Sequence, residues 1–161
     1  MSDRTPRLPR ATFYGTACHK VSGRNQVAIP RQHKRAIDEV QETDLLLMRW
    51  ENEPFLRLYT KSHFDQMVDE VKQNTSWTLK QRNTIAEDLA SSAESVEPDS
   101  QGRFVVPAKW MDALNIRDEV VFSGAFNFVK IWPAEAKQES ARPAASPAVE
   151  LFEDVTNILN G

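Results

Sequence analysis

Short apolar runs alternate with amphipathic stretches along this chain, and turn residues separate them. "QVAIP" (Gln26–Pro30) is a three-to-four-residue apolar run that stops at a proline. Proline costs nothing in the first turn of a helix, where its missing N–H would be unpaired anyway. The pattern therefore predicts a strand ending at Pro30 and a helix from about Pro30 or Arg31 to Asp38. "DLLLMRW" and "PFLRLYT" read as two strands joined by the polar turn "ENEP", a hairpin signal. "SHFDQMVDEVKQ" then predicts a helix capped by Ser62, with Phe64, Met67, Val68 and Val71 on one face. "TLKQRNTIAEDLASSA" predicts a second helix, and Val96 leads into the turn "DSQGR".

After that turn the order recurs. "FVVP" predicts a strand, "AKWMDAL" a helix from Pro107, and "EVVFSGA" with "FNFVKIWP" a second hairpin. Ser22–Ile37 aligns without gaps on Asp99–Leu114 at an offset of 77 residues. Pro30 matches Pro107, Val27 and Ile29 match Phe104 and Val106, and Ile37 matches Leu114. The final strands keep the match at a shorter offset, "FLRLY" on "FVKIW". Such self-similarity marks a chain built twice from one β-turn-β-α-ββ unit, with helices between the halves. A short strand around Gly15 within "ATFYGTACHKV" opens the first copy. The hairpin strands "FLRLY" and "FVKIW" would leave edges that need covering, which favours assembly with further copies.

Composition adds organisation at the ends. Residues 1–10 carry two prolines and three arginines and read as a disordered arm. They hold no apolar core of the kind a signal peptide has. From Pro133 an Ala/Pro/Ser/Glu bias marks a linker, and "VELFEDVTNILNG" reads as an amphipathic helix that packs on its own domain or docks on a partner, the preceding linker favouring docking. A chain of 161 residues suits one domain or two small intertwined ones. No apolar run approaches a membrane span, so neither a membrane partner nor a location outside the cytoplasm is expected. Cys18 is the only cysteine, which excludes an internal disulfide and a cysteine-based zinc cluster.

The charge is uneven. Residues 1–35 hold eight Lys/Arg against Asp3, a net +7, on a chain of net −3, so the remainder carries −10. A basic third on an acidic body suggests a local face for a polyanion, with a solvated basic arm as the alternative. The two turns sharpen that choice. Residues 99–103 read as a hairpin turn, in which Gly102 supplies the positive φ without a Cβ penalty, and Asp99 can accept backbone N–H groups two residues on. Arg103, at the start of the strand, can pair with Asp99, with a carboxylate of another subunit or with phosphate. The earlier turn holds Ser22, Asn25 and Gln26 at the positions of Asp99, Gly102 and Arg103. Asn tolerates the left-handed region and Ser makes a weaker local turn bond. Gln26 carries no charge, but Arg24 lies in the same turn and Arg31, Lys34 and Arg35 follow it.

These residues carry a resemblance. "DSQGRFVVPAKW" resembles the Asp-x-x-x-Arg signature of the MraZ family, bacterial regulators of the division and cell-wall gene cluster built from two SpoVT/AbrB-type repeats. "FYGTACHKVS" is similar to the family's opening Phe-x-Gly…His, here Phe13, Gly15 and His19. "FLRLYTKSHFDQMV" resembles the family's first-repeat strand and following helix. "EVVFSGAFNFVKIW" resembles its closing hairpin, with Gly124, Asn127 and Trp132. The resemblance spans about residues 13–133. It implies an α+β fold of tandem β-hairpin/helix repeats forming a compact barrel with flanking helices. The expected organisation is a basic arm at 1–10, a first repeat at 11–60, a helical connection at 61–92, a second repeat at 93–133, and a linker with a C-terminal helix at 134–161. It also implies a homo-oligomeric ring, located on the nucleoid, that binds short direct repeats of double-stranded DNA, its own promoter included. No cofactor and no metal are implied. Arg24, Arg31, Lys34, Arg35, Arg103 and Lys109 would then contact phosphates. Gln26 and Arg103 would read base edges, Gln favouring adenine and Arg guanine. Ser22, Asn25, Asp99 and Gly102 would shape the turns.

An oligomeric protein-interaction module on the same fold, without DNA, is the rival reading; the altered first turn and the tail helix motivate it. An enzyme is not expected. Cys18 and His19 are adjacent in a strand and point to opposite faces, and His33 and His63 stand without metal-binding spacing. Gly15, Gly23 and Gly102 form no phosphate cradle.

Overall fold

The computed structural model describes residues 10–136. Expectations for residues 1–9 and 137–161 lie outside them. The elements in chain order are β1 (Thr16–Lys20), β2 (Gln26–Ala28), α1 (Arg31–Glu39), β3 (Leu45–Arg49), β4 (Leu56–Thr60), α2 (Lys61–Gln73), α3 (Leu79–Ser92), β5 (Ala93–Val96), β6 (Arg103–Val105), α4 (Ala108–Ala113), β7 (Glu119–Gly124) and β8 (Val129–Pro133). The fold is mixed, with repeated hairpin and helix units. α1 and α4 start where the prolines predict, with Pro30 and Pro107 as their N-caps in nearly identical conformation.

Six strands form one antiparallel sheet in the order β1-β7-β8-β4-β3-β5, and β2 pairs with β6 in a separate two-stranded ribbon. Both expected hairpins are present, as β3–β4 and β7–β8. They join through β4 and β8, so "FLRLY" and "FVKIW" lie inside the sheet and the edges are β1 and β5 instead. Residues 93–96, which lead into the turn, form the opening strand of the second unit and pair with β3, Leu45 opposite Val96. β1 pairs with β7 in the same way, His19 opposite Val120. Each copy's opening strand therefore completes the other copy's hairpin. The turn before β6 is consequently not a hairpin turn, because β5 and β6 pair with different partners. Among the described strands the six-stranded ladder stays open at β1 and β5, and barrel closure is not seen in its hydrogen bonding.

Alternation along each strand sets the layers. Leu45, Leu47, Leu56, Leu58, Val120, Phe122, Val129 and Ile131 face one core with Val27, Ile29, Phe104, Val106 and Trp110. The opposite face, with Met48 and Tyr59, is covered by α2 and α3 through Phe64, Met67, Val68, Val71, Ile85 and Leu89. The cap of α2 is Thr60 rather than Ser62: Thr60 ends β4 in extended conformation and its hydroxyl accepts the N–H of His63 at 3.3 Å. α3 opens with a capping box between Thr78 and Gln81. The expected linker begins in contact with the sheet, since Ala134 and Ala136 pack on Phe55, Val121 and Trp132.

Candidate functional site

The second turn is held as its residues suggest. Asp99 Oδ1 accepts the backbone N–H groups of Gln101 and Arg103, both at 2.9 Å, and Oδ2 pairs with Arg103 Nε at 2.8 Å. Gly102 has φ +78° and its N–H donates to Asp99 O at 2.9 Å. The N–H of Arg103, helped by its guanidinium, holds the Asp99 carboxyl below its ordinary pKa. The first turn keeps the same backbone with weaker chemistry. Ser22 N–H donates to Gln26 O at 2.9 Å, Asn25 N–H to Ser22 O at 3.2 Å, and Asn25 sits at φ +57°. Each turn then bonds across to the other copy. Ile29 N–H donates to Gly102 O and Val106 N–H to Asn25 O, both at 2.9 Å.

Between the two turns lies the β2–β6 ribbon. Val27 and Phe104 are opposite one another and buried. Their neighbours alternate to the outer face, where Gln26 lies opposite Val105 and Ala28 opposite Arg103. Gln26 and Arg103 thus occupy one diagonal of this face, Ala28 and Val105 the other. The Arg103–Asp99 pair engages Nε alone and leaves both terminal nitrogens of the guanidinium unpaired among the described residues.

Basic residues flank the ribbon. Arg24 is exposed in the first turn, and Arg31 and Arg35 are exposed one turn apart on α1. The Lys34 side chain lies against the second turn, because a Cβ on Gly102 would meet its Cδ at 3.0 Å. Lys34 also pairs with Asp38 at 2.8 Å. Lys109 on α4 pairs with Glu94 of β5 at 2.6 Å and lies 5.2 Å from the Trp110 ring centroid. Asp99, Gly102, Arg103 and Lys34 therefore come together, while Lys109 is turned to a carboxylate of the sheet edge.

Two features escape the motif reading. Val105, 56% exposed, is an apolar side chain on the outer face of the ribbon; strict alternation about Phe104 was the signal for it. The other is a clamp on residues 13–15. Gln32 Nε2 and His33 Nε2 both donate to Tyr14 O, at 2.7 and 2.8 Å. A Cβ on Gly15, which sits at φ +79°, would lie 2.2 Å from Gln32 Nε2.

The remaining chemistry-bearing groups are engaged locally. His19 Nδ1 donates to Ala28 O at 2.6 Å and His63 Nε2 to Ala11 O at 2.9 Å. Slight desolvation and the Glu119 carboxylate raise the pKa of Cys18, which keeps it a thiol near neutrality. Among the described residues no three His, Cys, Asp or Glu side chains group to hold a metal, and no helix is long and apolar enough to cross a membrane.

A family model described as "MraZ protein, putative antitoxin-like" matches residues 89–145. Relatives align over far more of the chain. The transcriptional regulator MraZ of Bacteroides thetaiotaomicron is 26% identical over 84% of this chain and 85% of its own. That of Mycolicibacterium vanbaalenii is 24% identical over 79% and 85%. That of Ureaplasma urealyticum serovar 10 is 26% identical over 92% and 99%. Over these spans and at this low identity, the chain is MraZ-like, a distant homologue of these regulators.

Proposed function

We propose that this protein is a sequence-specific, DNA-binding transcriptional regulator rather than an enzyme. The observation that carries the reading is the β2–β6 ribbon, with Gln26 and Arg103 on one outer face and basic residues beyond both ends. A two-stranded ribbon fits the major groove, which is about 12 Å wide. There Gln26 and Arg103 would reach base edges, and Arg24, Arg31 and Arg35 would meet phosphates. Lys34 and Lys109 join them by leaving their carboxylates. Exposed ion pairs of that kind are worth only about 0.2–1 kcal/mol, and each phosphate contact releases condensed counterions in return. The names of the relatives support the same reading. In it the protein forms a homo-oligomeric ring on the nucleoid and acts on short direct repeats upstream of the division and cell-wall genes, its own promoter included. Repetition around a ring adds affinity through effective concentration.

The test compares binding to the DNA upstream of the gene with binding to an unrelated duplex, at several salt concentrations. Arg103→Ala is expected to shrink the gap between the two DNAs. Arg35→Ala is expected to weaken both alike and to flatten the salt slope by about one unit. Normal specific binding by Arg103→Ala, with fold and mass unchanged, removes the readout role.

The protein-interaction module has one observation in its favour. Tyr14 and Phe126 are 64% and 54% exposed and meet edge to face at 6.0 Å, and Phe126 holds a positive φ of +69°. A chain that scatters light as a multiple of its own mass but binds no DNA at low salt belongs to that class instead.

A further inference from the structure

We propose that Val105 is a specificity-determining residue that reads the C5-methyl group of thymine, and that the two halves of the ribbon read unlike base pairs. This inference rests on the DNA-binding reading of the same ribbon.

The duplication places equivalent residues on the outer face. Gln26 and Ala28 correspond to Arg103 and Val105 at the offset of 77 residues. Antiparallel pairing sets Gln26 opposite Val105 and Ala28 opposite Arg103, so the face has a local two-fold in its backbone and none in its chemistry. One half offers a charged fork and a branched apolar side chain. The other offers an uncharged amide and a single methyl. A symmetric DNA sequence cannot satisfy both halves equally, so one chain reads a non-palindromic site.

Val105 has no packing role that explains its exposure. The ribbon is closed on its inner side by Val27 and Phe104, 1% and 3% exposed, while Val105 is 56% exposed. In the major groove the only apolar group that a base pair presents is the thymine methyl, and an apolar side chain is its partner. The spacing agrees. Arg103 and Val105 are two residues apart on one strand, a rise of about 6.8 Å. Two base steps along a DNA strand cover about the same distance. With the strand along the groove, Arg103 addresses a guanine and Val105 a thymine about two steps away. The partner is identified by charge as well. Arg24, Arg31 and Arg35 stand exposed around the face, which favours a polyanion over an apolar protein surface.

The experiment uses the full chain and the promoter fragment upstream of the gene, synthesised with either dTTP or dUTP; the uracil duplex keeps every base pair and lacks the methyl groups. An unrelated fragment made both ways gives the non-specific baseline. Wild type is expected to bind the uracil promoter about four-fold more weakly per thymine read, the value of one methyl group left in water. Val105→Ala is expected to lose affinity for the thymine promoter by a similar factor and to approach indifference between the two. Arg35→Ala is expected to weaken both and keep the ratio. Equal binding of both promoters by wild type, or an unchanged ratio in Val105→Ala, overturns the inference while leaving DNA binding in place. Absence of salt-dependent binding by wild type to either promoter overturns the DNA-binding reading and this inference with it. Val105→Ala removes an exposed side chain, and an unchanged unfolding midpoint separates lost contact from lost fold.

Discussion

Asp99 acts as the fastening of the second turn, and its chemistry predicts a pH effect that the first turn lacks. Its carboxyl is held low by the Arg103 N–H and guanidinium. A carboxyl whose folded pKa is depressed adds stability above its unfolded value, near 3.9, and that contribution disappears as pH falls through the lower folded value. The backbone N–H signals of Gln101 and Arg103 are therefore expected to titrate together below the ordinary aspartate range, while those of Asn25 and Gln26 stay still. Nuclear magnetic resonance checks this, and a midpoint at or above the ordinary value contradicts it. Glycine is needed nearby for two distinct reasons. Gly102→Ala meets a left-handed backbone worth about 1–2 kcal/mol of strain, and its Cβ crowds the flexible Lys34 stem at 3.0 Å with Ile29 Cβ in ordinary contact at 3.7 Å. Gly124→Ala meets the backbone of Phe13, with its carbonyl oxygen at 2.5 Å. Urea unfolding should show Gly124→Ala as the more damaging of the two.

At the scale of the element, α1 is tied down by its second and third residues. Gln32 and His33 both donate to Tyr14 O, and His33 is 1% exposed with its ring edge on Phe13 at 5.9 Å. Burial lowers the pKa of His33 from its ordinary 6.5. A histidine kept neutral by the fold stabilises fully above its unfolded pKa, and that contribution declines as pH falls below it. The urea midpoint should drop as pH is lowered from about 6.5. His33→Gln, which retains a donor but does not titrate, should reduce that slope; an identical slope contradicts the assignment. α3 depends on its capping box, and Thr78→Ala is expected to cost about 1 kcal/mol without altering the DNA binding proposed for the ribbon, since α3 packs on the sheet face carrying Met48 and Tyr59.

Across the whole molecule, the exchange of strands makes the two copies interdependent. β1 completes the β7–β8 hairpin, β5 completes the β3–β4 hairpin, and the ribbon takes one strand from each copy. Residues 11–60 alone would keep β4 beside β3 but leave Leu45 and Leu47 without β5 and Val27 without β6. That segment is expected to show no cooperative unfolding as a monomer, whereas the full chain unfolds in one transition that fluorescence and circular dichroism report alike. Phe122, 0% exposed in the shared core, should cost about 3–5 kcal/mol on truncation to alanine. The loss should appear in that single transition, and two separated transitions would show that the copies are independent. The same exchange bonds turn one to Val106, ahead of α4, and sets turn two against Lys34 of α1, so both turns reach one ribbon.

The residue pattern by itself determined much of this protein. Prolines at 30 and 107 mark the two helix starts, and alternation about Val27 and Phe104 marks the ribbon strands. Duplication at 77 residues predicts that Asn25 and Gly102 share a left-handed turn. Each of these is a local matter of backbone freedom or side-chain period, written within a few consecutive residues. Strand partners are not local. "AESV" at 93–96 has little apolar character of its own; the repeated unit calls for a strand there, but its partner is decided by the free edge of β3, whose N–H and C=O groups need pairing. The hairpins looked like edges until β4 met β8. Thr60 displaced Ser62 as a cap because β4 ends in the extended geometry a cap requires. Which side chains gather on one outer face was likewise decided by the antiparallel register of β2 on β6. That register alone sets Gln26 opposite Val105 and Ala28 opposite Arg103, because residues this far apart in the chain become neighbours only when the backbone hydrogen bonds of two copies are satisfied together.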